Sequence, residues 1–218
     1  MKQFMFRVLN LLAGILLFAL GLVLTIRADI GYAPWEVFHA GISNKTGLGI
    51  GAASIVIGIL IIVAVMLFGE KFGLGTLTSM VLTGTFIDLI LYMDIIPKAN
   101  SLTVGIPVLL LGLLIVALGS YFYIRAGFGA GPRDNLMVVL TRKTGLPVGL
   151  CRAMVDLTVT VTGRLLGGGV GVGTLISAFT IGIFIQIIFK LFKFNVTAVK
   201  HETLGETFAS LRKKNKNT

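Results

Sequence analysis

Apolar runs of about twenty residues alternate with short polar breaks along this chain. Val8–Ile26, Ile50–Phe68, Leu74–Ile96, Val104–Ile124, Val148–Leu166 and a last run ending near Phe189 form the series. At about 1.5 Å per residue, each is long enough to cross a hydrocarbon core of about 30 Å as a helix. Two shorter helical segments interrupt the series. The first follows a break at Arg27–Ala33, starts at Pro34, where the missing N–H costs nothing, and runs from Trp35 to about Ser43. Some ten residues give about 15 Å, which does not cross, so the pattern predicts a re-entrant half-helix. The second follows a break at Arg125–Gly131 and covers Pro132–Thr141.

The two breaks share one pattern. Ile26-Arg27-Ala28-Asp29-Ile30-Gly31-Tyr32-Ala33-Pro34-Trp35-Glu36 and Ile124-Arg125-Ala126-Gly127-Phe128-Gly129-Ala130-Gly131-Pro132-Arg133-Asp134 carry Ile, Arg, Ala, Gly and Pro at the same places. A shift of 98, Gly31 to Gly129, aligns both halves without a gap. It also superposes Gly14 and Gly21 on Gly112 and Gly119, Lys45-Thr46-Gly47-Leu48 on Lys143-Thr144-Gly145-Leu146, and Gly73-Leu74-Gly75-Thr76-Leu77 on Gly171-Val172-Gly173-Thr174-Leu175. The expected fold is therefore an all-α polytopic transmembrane bundle of two internal repeats. Residues 1–98 form the first, 99–193 the second, and 194–218 a basic cytoplasmic tail. Three full spans and one short broken helix per repeat, an odd number of crossings, insert the copies in opposite orientation. Were the short helices to cross, the copies would be parallel, with eight crossings. Loop Lys and Arg divide almost evenly under either plan, and helix length favours the inverted one.

Composition narrows the class. The chain has 218 residues, 56% of them hydrophobic and 13% charged, which identifies an integral membrane protein. The net charge of +10 gathers much of its excess in Lys190, Lys193, Lys200, Arg212, Lys213, Lys214 and Lys216. That is the pattern of a cytoplasmic tail near anionic headgroups, and both termini are expected in the cytoplasm. No aromatic residues interleave with these charges, so nucleic acid is not an expected partner. One cysteine, Cys151, and two histidines support neither a disulfide nor a metal site, and no cofactor is expected.

The stretch Ala28-Asp29-Ile30-Gly31-Tyr32-Ala33-Pro34-Trp35-Glu36-Val37-Phe38-His39 resembles the YczE family, within the YczE/YyaS/YitT group. So do Gly129-Ala130-Gly131-Pro132-Arg133-Asp134 and Leu166-Gly167-Gly168-Gly169-Val170-Gly171-Val172-Gly173-Thr174, and the resemblance covers residues 8–190. It implies a bacterial inner-membrane protein and brings no catalytic residues. The family often carries Glu where this chain has Asp156, which keeps the carboxylate.

Charges at membrane depth need partners or a wet cavity. Arg152 and Asp156, four apart on one helical face, fit either a structural ion pair or the wall of a solute or proton path. Arg133 and Asp134 sit in the first turn behind Pro132, where free N–H groups favour an anion. Asp134 can satisfy that end itself, or Arg133 and the N–H groups can hold a substrate carboxylate or phosphate. Glu36 takes the acidic place in the first copy, and Trp35 stands where the second copy has arginine. Gly129 and Gly131 allow close backbone approach by a ligand, or simply the tight break. Arg27 and Arg125 end their spans at matching places, suited to snorkelling or to gating. His39, three residues after Glu36, titrates near neutral pH when exposed and is otherwise a structural hydrogen-bonding residue. Asp88 and Gln186 match in the last spans and fit a headgroup layer.

The run Gly167–Thr174 lacks the lysine of a phosphate loop and reads as an interhelical turn. No nucleophile–base motif occurs, so an enzyme is not expected. The sequence points to a small-solute transporter or channel-like protein whose broken segments form one central polar site for an anionic or zwitterionic solute. A non-transporting membrane protein that organises or stabilises partners is the alternative.

Overall fold

The computed structural model describes residues 2–69, 73–129, 131–146 and 148–194, excepting the side chains at 2, 3, 74, 134, 135, 137, 138, 141, 148, 149 and 152. The basic tail from 195 onward lies outside the described residues. Eight helices follow one another among the described residues: α1 Lys2–Arg27, α2 Pro34–Thr46, α3 Ile50–Leu67, α4 Leu74–Met93, α5 Leu102–Arg125, α6 Pro132–Thr144, α7 Val148–Leu165 and α8 Val172–Leu191. The bounds of α2, α3 and α4 recur in α6, α7 and α8 displaced by the same 98 positions that align the sequence.

The short helices run slightly further than their composition suggests. Each of α2 and α6 has 13 residues, because the polar triplets before Gly47 and Gly145 stay helical. Gly47 stops α2 in the left-handed conformation at φ 74°, and Gly145 stands at φ 70° after α6. At about 1.5 Å per residue, each is still only about 20 Å long.

Among the described residues, five helical segments are long and apolar enough to cross a membrane: Phe4–Arg27, Ile50–Leu67, Gly75–Met93, Leu102–Arg125 and Val172–Leu191. α7 has the length, 18 residues, but Arg152, Asp156 and Arg164 interrupt its apolar run. Its large apolar residues nevertheless form an outward stripe, Leu150, Met154, Leu157, Val161 and Leu165, all exposed at helical spacing.

The centre of the bundle is the antiparallel pair α1 and α5. Gly14 meets Gly119 and Tyr123, while Gly21 meets Gly112 and Val116. A Cβ on Gly14 would stand 2.5 Å from the Tyr123 nitrogen, and one on Gly21 would stand 2.6 Å from that of Val116. Small residues let the two backbones touch, which is how helices gain packing energy where lipid is as apolar as the side chains. The face of α1 formed by Ala19, Leu22, Val23 and Ile26 is buried with Ile87 of α4 and Val116 of α5.

The two breaks are tied across the bundle. The Ile30 carbonyl accepts the N–H of Gly173 at 2.7 Å, and the Phe128 carbonyl accepts that of Gly75, also at 2.7 Å. Each break thus satisfies an open N–H in the first turn of a distant helix, α8 in one case and α4 in the other. They lie at opposite ends of the α1–α5 pair. Gly105, early in α5, rests on Ala28 and Ile30, whereas Arg7, early in α1, donates to the Ala126 carbonyl at 2.8 Å and covers the Phe128 ring.

Candidate functional site

The first turns of α2 and α6 meet inside the bundle. Proline at the first position of each sets the start, so Trp35 and Arg133 come second and Glu36 third. Arg133 Nη2 donates to Glu36 Oε1 at 3.2 Å and stands 3.4 Å from His39 Nδ1. Its Cζ lies 4.7 Å from the centroid of the Trp35 ring, in cation–π range. The Trp35 indole N–H in turn donates to Asp156 Oδ1 at 3.1 Å. Three helices therefore supply one polar cluster: α2 with Trp35, Glu36 and His39, α6 with Arg133, and α7 with Asp156.

Helical spacing explains the α2 side, since Glu36 and His39 are three apart and share a face. Packing explains the rest. Gly163 of α7 receives the backbone of Val37 and Phe38, and a Cβ there would stand 2.6 Å from Phe38 Cα. That approach brings the start of α2 alongside α7. Across the bundle Pro132 lies beside Gly58 of α3, where an added Cβ would sit 3.7 Å from its Cγ. Gly58 and Asp156 hold matching places in the two halves, as do Trp35 and Arg133. One wall is therefore bare and the other charged.

Trp35, Glu36 and His39 are buried, while the Arg133 side chain is 30% exposed against 4% for that of Glu36. The guanidinium is thus the reachable member of the pair. Because it only donates, Nδ1 of His39 must present its lone pair, which puts the imidazole proton on Nε2.

The structure brings together Glu36, His39, Arg133 and Asp156 of the residues singled out in the sequence. The side chains of Asp134 and Arg152 lie outside those described. Gly129, at φ 126°, is buried against Gly73 and Thr76 and does not face the cluster, and Gly131 immediately precedes Pro132. Arg27 is buried, ion-paired with Asp94, and donates to the Leu91 carbonyl at 3.2 Å, so the end of α1 is bound to the end of α4. Arg125 is exposed and donates to Tyr121 Oη at 2.7 Å, four residues back on the same helix. Phe192 stands at the place matching Asp94 and stacks on Tyr121 at 4.4 Å.

Two functional roles were hidden in the sequence. Trp35, set aside there as the replacement of an arginine, is the link between Arg133 and Asp156; its place 98 before Arg133 was the available signal. Asp88, read there as fitting a headgroup layer, accepts the N–H groups of Gly51 at 2.7 Å and Ala52 at 2.8 Å, capping the start of α3 from another helix. No spacing rule reveals a cap supplied from 37 residues away. Among the described residues, no three His, Cys, Asp or Glu side chains are grouped to hold a metal ion.

A helical bundle whose apolar helices carry a charged cluster inside and large exposed apolar side chains outside is a multi-pass integral membrane protein. The chain belongs to DUF6198, a family of unknown function, whose model matches residues 5–190. It is 38% identical over 176 residues to the uncharacterized membrane protein YczE of Bacillus subtilis (strain 168), covering 80% of this chain and 81% of that one. An uncharacterized protein of Haemophilus influenzae is 31% identical over 183 residues, with 82% and 83% covered. The uncharacterized protein YyaS of Bacillus subtilis is 27% identical over 179 residues, with 80% and 88% covered. No solved structure matches.

Proposed function

We propose that this chain is a non-enzymatic transporter of a small anionic or zwitterionic solute in the bacterial cytoplasmic membrane, built from two inverted repeats of three crossings and one half-helix. The observation that carries the reading is the contact of Arg133 with Glu36 and Trp35, where the two short helices begin. A charged cluster buried at membrane depth is costly unless it serves a path or a fixed contact. Here its basic member remains partly open. Half-helix starts converging on such a cluster are the arrangement secondary transporters use for substrate.

Inversion is supported by the antiparallel α1 and α5 and by the breaks at their opposite ends. Re-entry of α2 is supported by its two flanks. Tyr32, before the helix, donates its N–H to the Gly169 carbonyl at 3.1 Å, and Asn44, near its end, donates to the Gly167 carbonyl at 2.8 Å, so both flanks meet the turn between α7 and α8. The outward apolar stripe of α7 supports a sixth crossing, with Asp156 turned inward to Trp35. Six crossings leave both termini on one side, and Lys2, Arg7 and the basic tail favour the cytoplasm.

The test is uptake of labelled carboxylates, phosphate and amino acids into proteoliposomes containing the full chain. Uptake should be lost in Arg133→Gln and kept in Arg164→Gln, which alters an exposed residue outside the cluster. Absence of uptake for every solute by well-folded protein would favour the partner-organising alternative.

A further inference from the structure

We infer that the solute held at Arg133 is a small carboxylate, and that it binds together with one proton, which Glu36 takes up. This rests on the reading of the Arg133–Glu36 contact as a solute site.

The geometry of the guanidinium is the starting point. Both of its hydrogen-bonding contacts, with Glu36 Oε1 and His39 Nδ1, use Nη2. A guanidinium has five N–H donors in a planar fork, and a carboxylate fits that fork with two parallel bonds. Exposure shows from which side an anion arrives, because Arg133 is 30% open and Glu36 lies behind it at 4%. The incoming carboxylate meets the cation first and the buried acid not at all.

Charge balance then requires the proton. Arg133 and Glu36 together are neutral, so a monoanion would leave one uncompensated negative charge beside a Glu36 side chain that is 4% exposed. Burying an unpaired charge in such surroundings is strongly unfavourable. Uptake of H⁺ converts the Glu36 carboxylate to the neutral acid and leaves Arg133 paired with the solute. A dianion would need two protons, and among the described residues Glu36 is the one carboxylate bonded to Arg133. That is why a monocarboxylate is assigned over the phosphate dianion.

The neighbouring titratable groups do not take this role. His39 presents a lone pair to the same Nη2, and protonating it would set N–H against N–H. Asp156 of α7 is joined to the cluster by the Trp35 indole, whose N–H it accepts. The side chains of Asp134 on α6 and Arg152 on α7 lie outside those described. α3 has no titratable residue, and α8 has only Lys190, in its last turn.

The test uses the purified full chain in detergent and acetate as the probe, by titration calorimetry in two buffers of different ionisation enthalpy. Wild type should take up one proton per acetate bound, and over the pH range in which that proton comes from solution its Kd should rise about tenfold per pH unit. Glu36→Gln should bind acetate with no pH dependence and no proton uptake, and Arg133→Gln should not bind it. The proton count on wild type decides the matter even if Glu36→Gln does not fold. Proton-free binding, pH-dependent binding by folded Glu36→Gln, or no acetate binding by wild type at the acidic end of the range would each overturn the inference. Proton-linked acetate binding without uptake in proteoliposomes would instead remove the transport reading and keep this one. Uptake confined to solutes lacking a carboxylate would do the reverse.

Discussion

The guanidinium of Arg133 lies 4.7 Å from the ring centroid of Trp35, and these two residues occupy the second position of α6 and α2 respectively. Residues that correspond in the two halves thus touch one another, although they differ in chemistry. One supplies a cation and the other an aromatic face with an N–H donor. Where two matching helix starts meet, unlike residues can pair, whereas two arginines or two glutamates would repel. The difference between the halves is therefore what lets the cluster close.

Trp35 makes two separable contributions, and substitution should separate them. Trp35→Phe keeps an aromatic face for Arg133 but removes the donor to Asp156, at an expected cost of about 2 kcal/mol for a lost hydrogen bond to a charged group. Trp35→Ala also empties the space and should cost about 4 kcal/mol. The midpoints of thermal unfolding in detergent report the order. An unchanged midpoint in Trp35→Phe would mean that the indole N–H contributes nothing.

The Arg133–Glu36 pair should respond asymmetrically. Arg133→Gln leaves a carboxylate at 4% exposure without its cation, and a cost of about 3 kcal/mol is expected. Glu36→Gln leaves a cation that is 30% exposed and can be solvated in part, so it should cost less. The double variant should be more stable than Arg133→Gln alone. A double-mutant cycle on chemical unfolding measures this, and strict additivity would show that the two side chains do not interact.

At the α1–α5 seam, Gly21→Val should destabilise by about 2 kcal/mol or more. The new side chain meets the backbone of Val116 and Gly112, which has no rotamer to yield. Gly182→Ala on α8 is the control, because an added Cβ there meets nothing within 4 Å. If both variants unfold together, the seam is not packed as described.

Asp88→Ala should destabilise the start of α3 by about 1–2 kcal/mol, the usual loss when a helix cap is removed. Asp88→Asn keeps one acceptor for the N–H groups of Gly51 and Ala52 and should recover part of the loss. Hydrogen exchange at residues 51 and 52 gives the local readout. Unchanged protection in Asp88→Ala would remove the capping role.

Reporter fusions at each terminus should report the same compartment, as the proposed six-crossing plan requires. Opposite compartments would exclude the six-crossing plan and the eight-crossing one together.

Local chemistry was enough to determine where most helices begin and end. Pro34 and Pro132 mark starts, Gly47 and Gly145 mark stops, and the lengths of the apolar runs set the long helices, because each depends on the residue itself and its neighbours within a turn. The offset of 98 likewise needs nothing beyond the chain. The small extension of α2 past Ser43 was not legible. A polar triplet reads as a turn by composition, while the backbone stays helical until a left-handed residue ends it. Partnership between charges was decided by the tertiary structure alone. Arg27 carries every mark of a snorkelling residue at a span end, yet the docking of α4 beside α1 delivers Asp94 to it. Arg125 has the same local sequence and finds Tyr121, since Phe192 occupies the place corresponding to Asp94. Trp35 reaches Asp156 from 121 residues away. Such contacts depend on how whole helices dock, which the close approach at Gly14, Gly21 and Gly163 sets, and a spacing rule within one helix has no access to that.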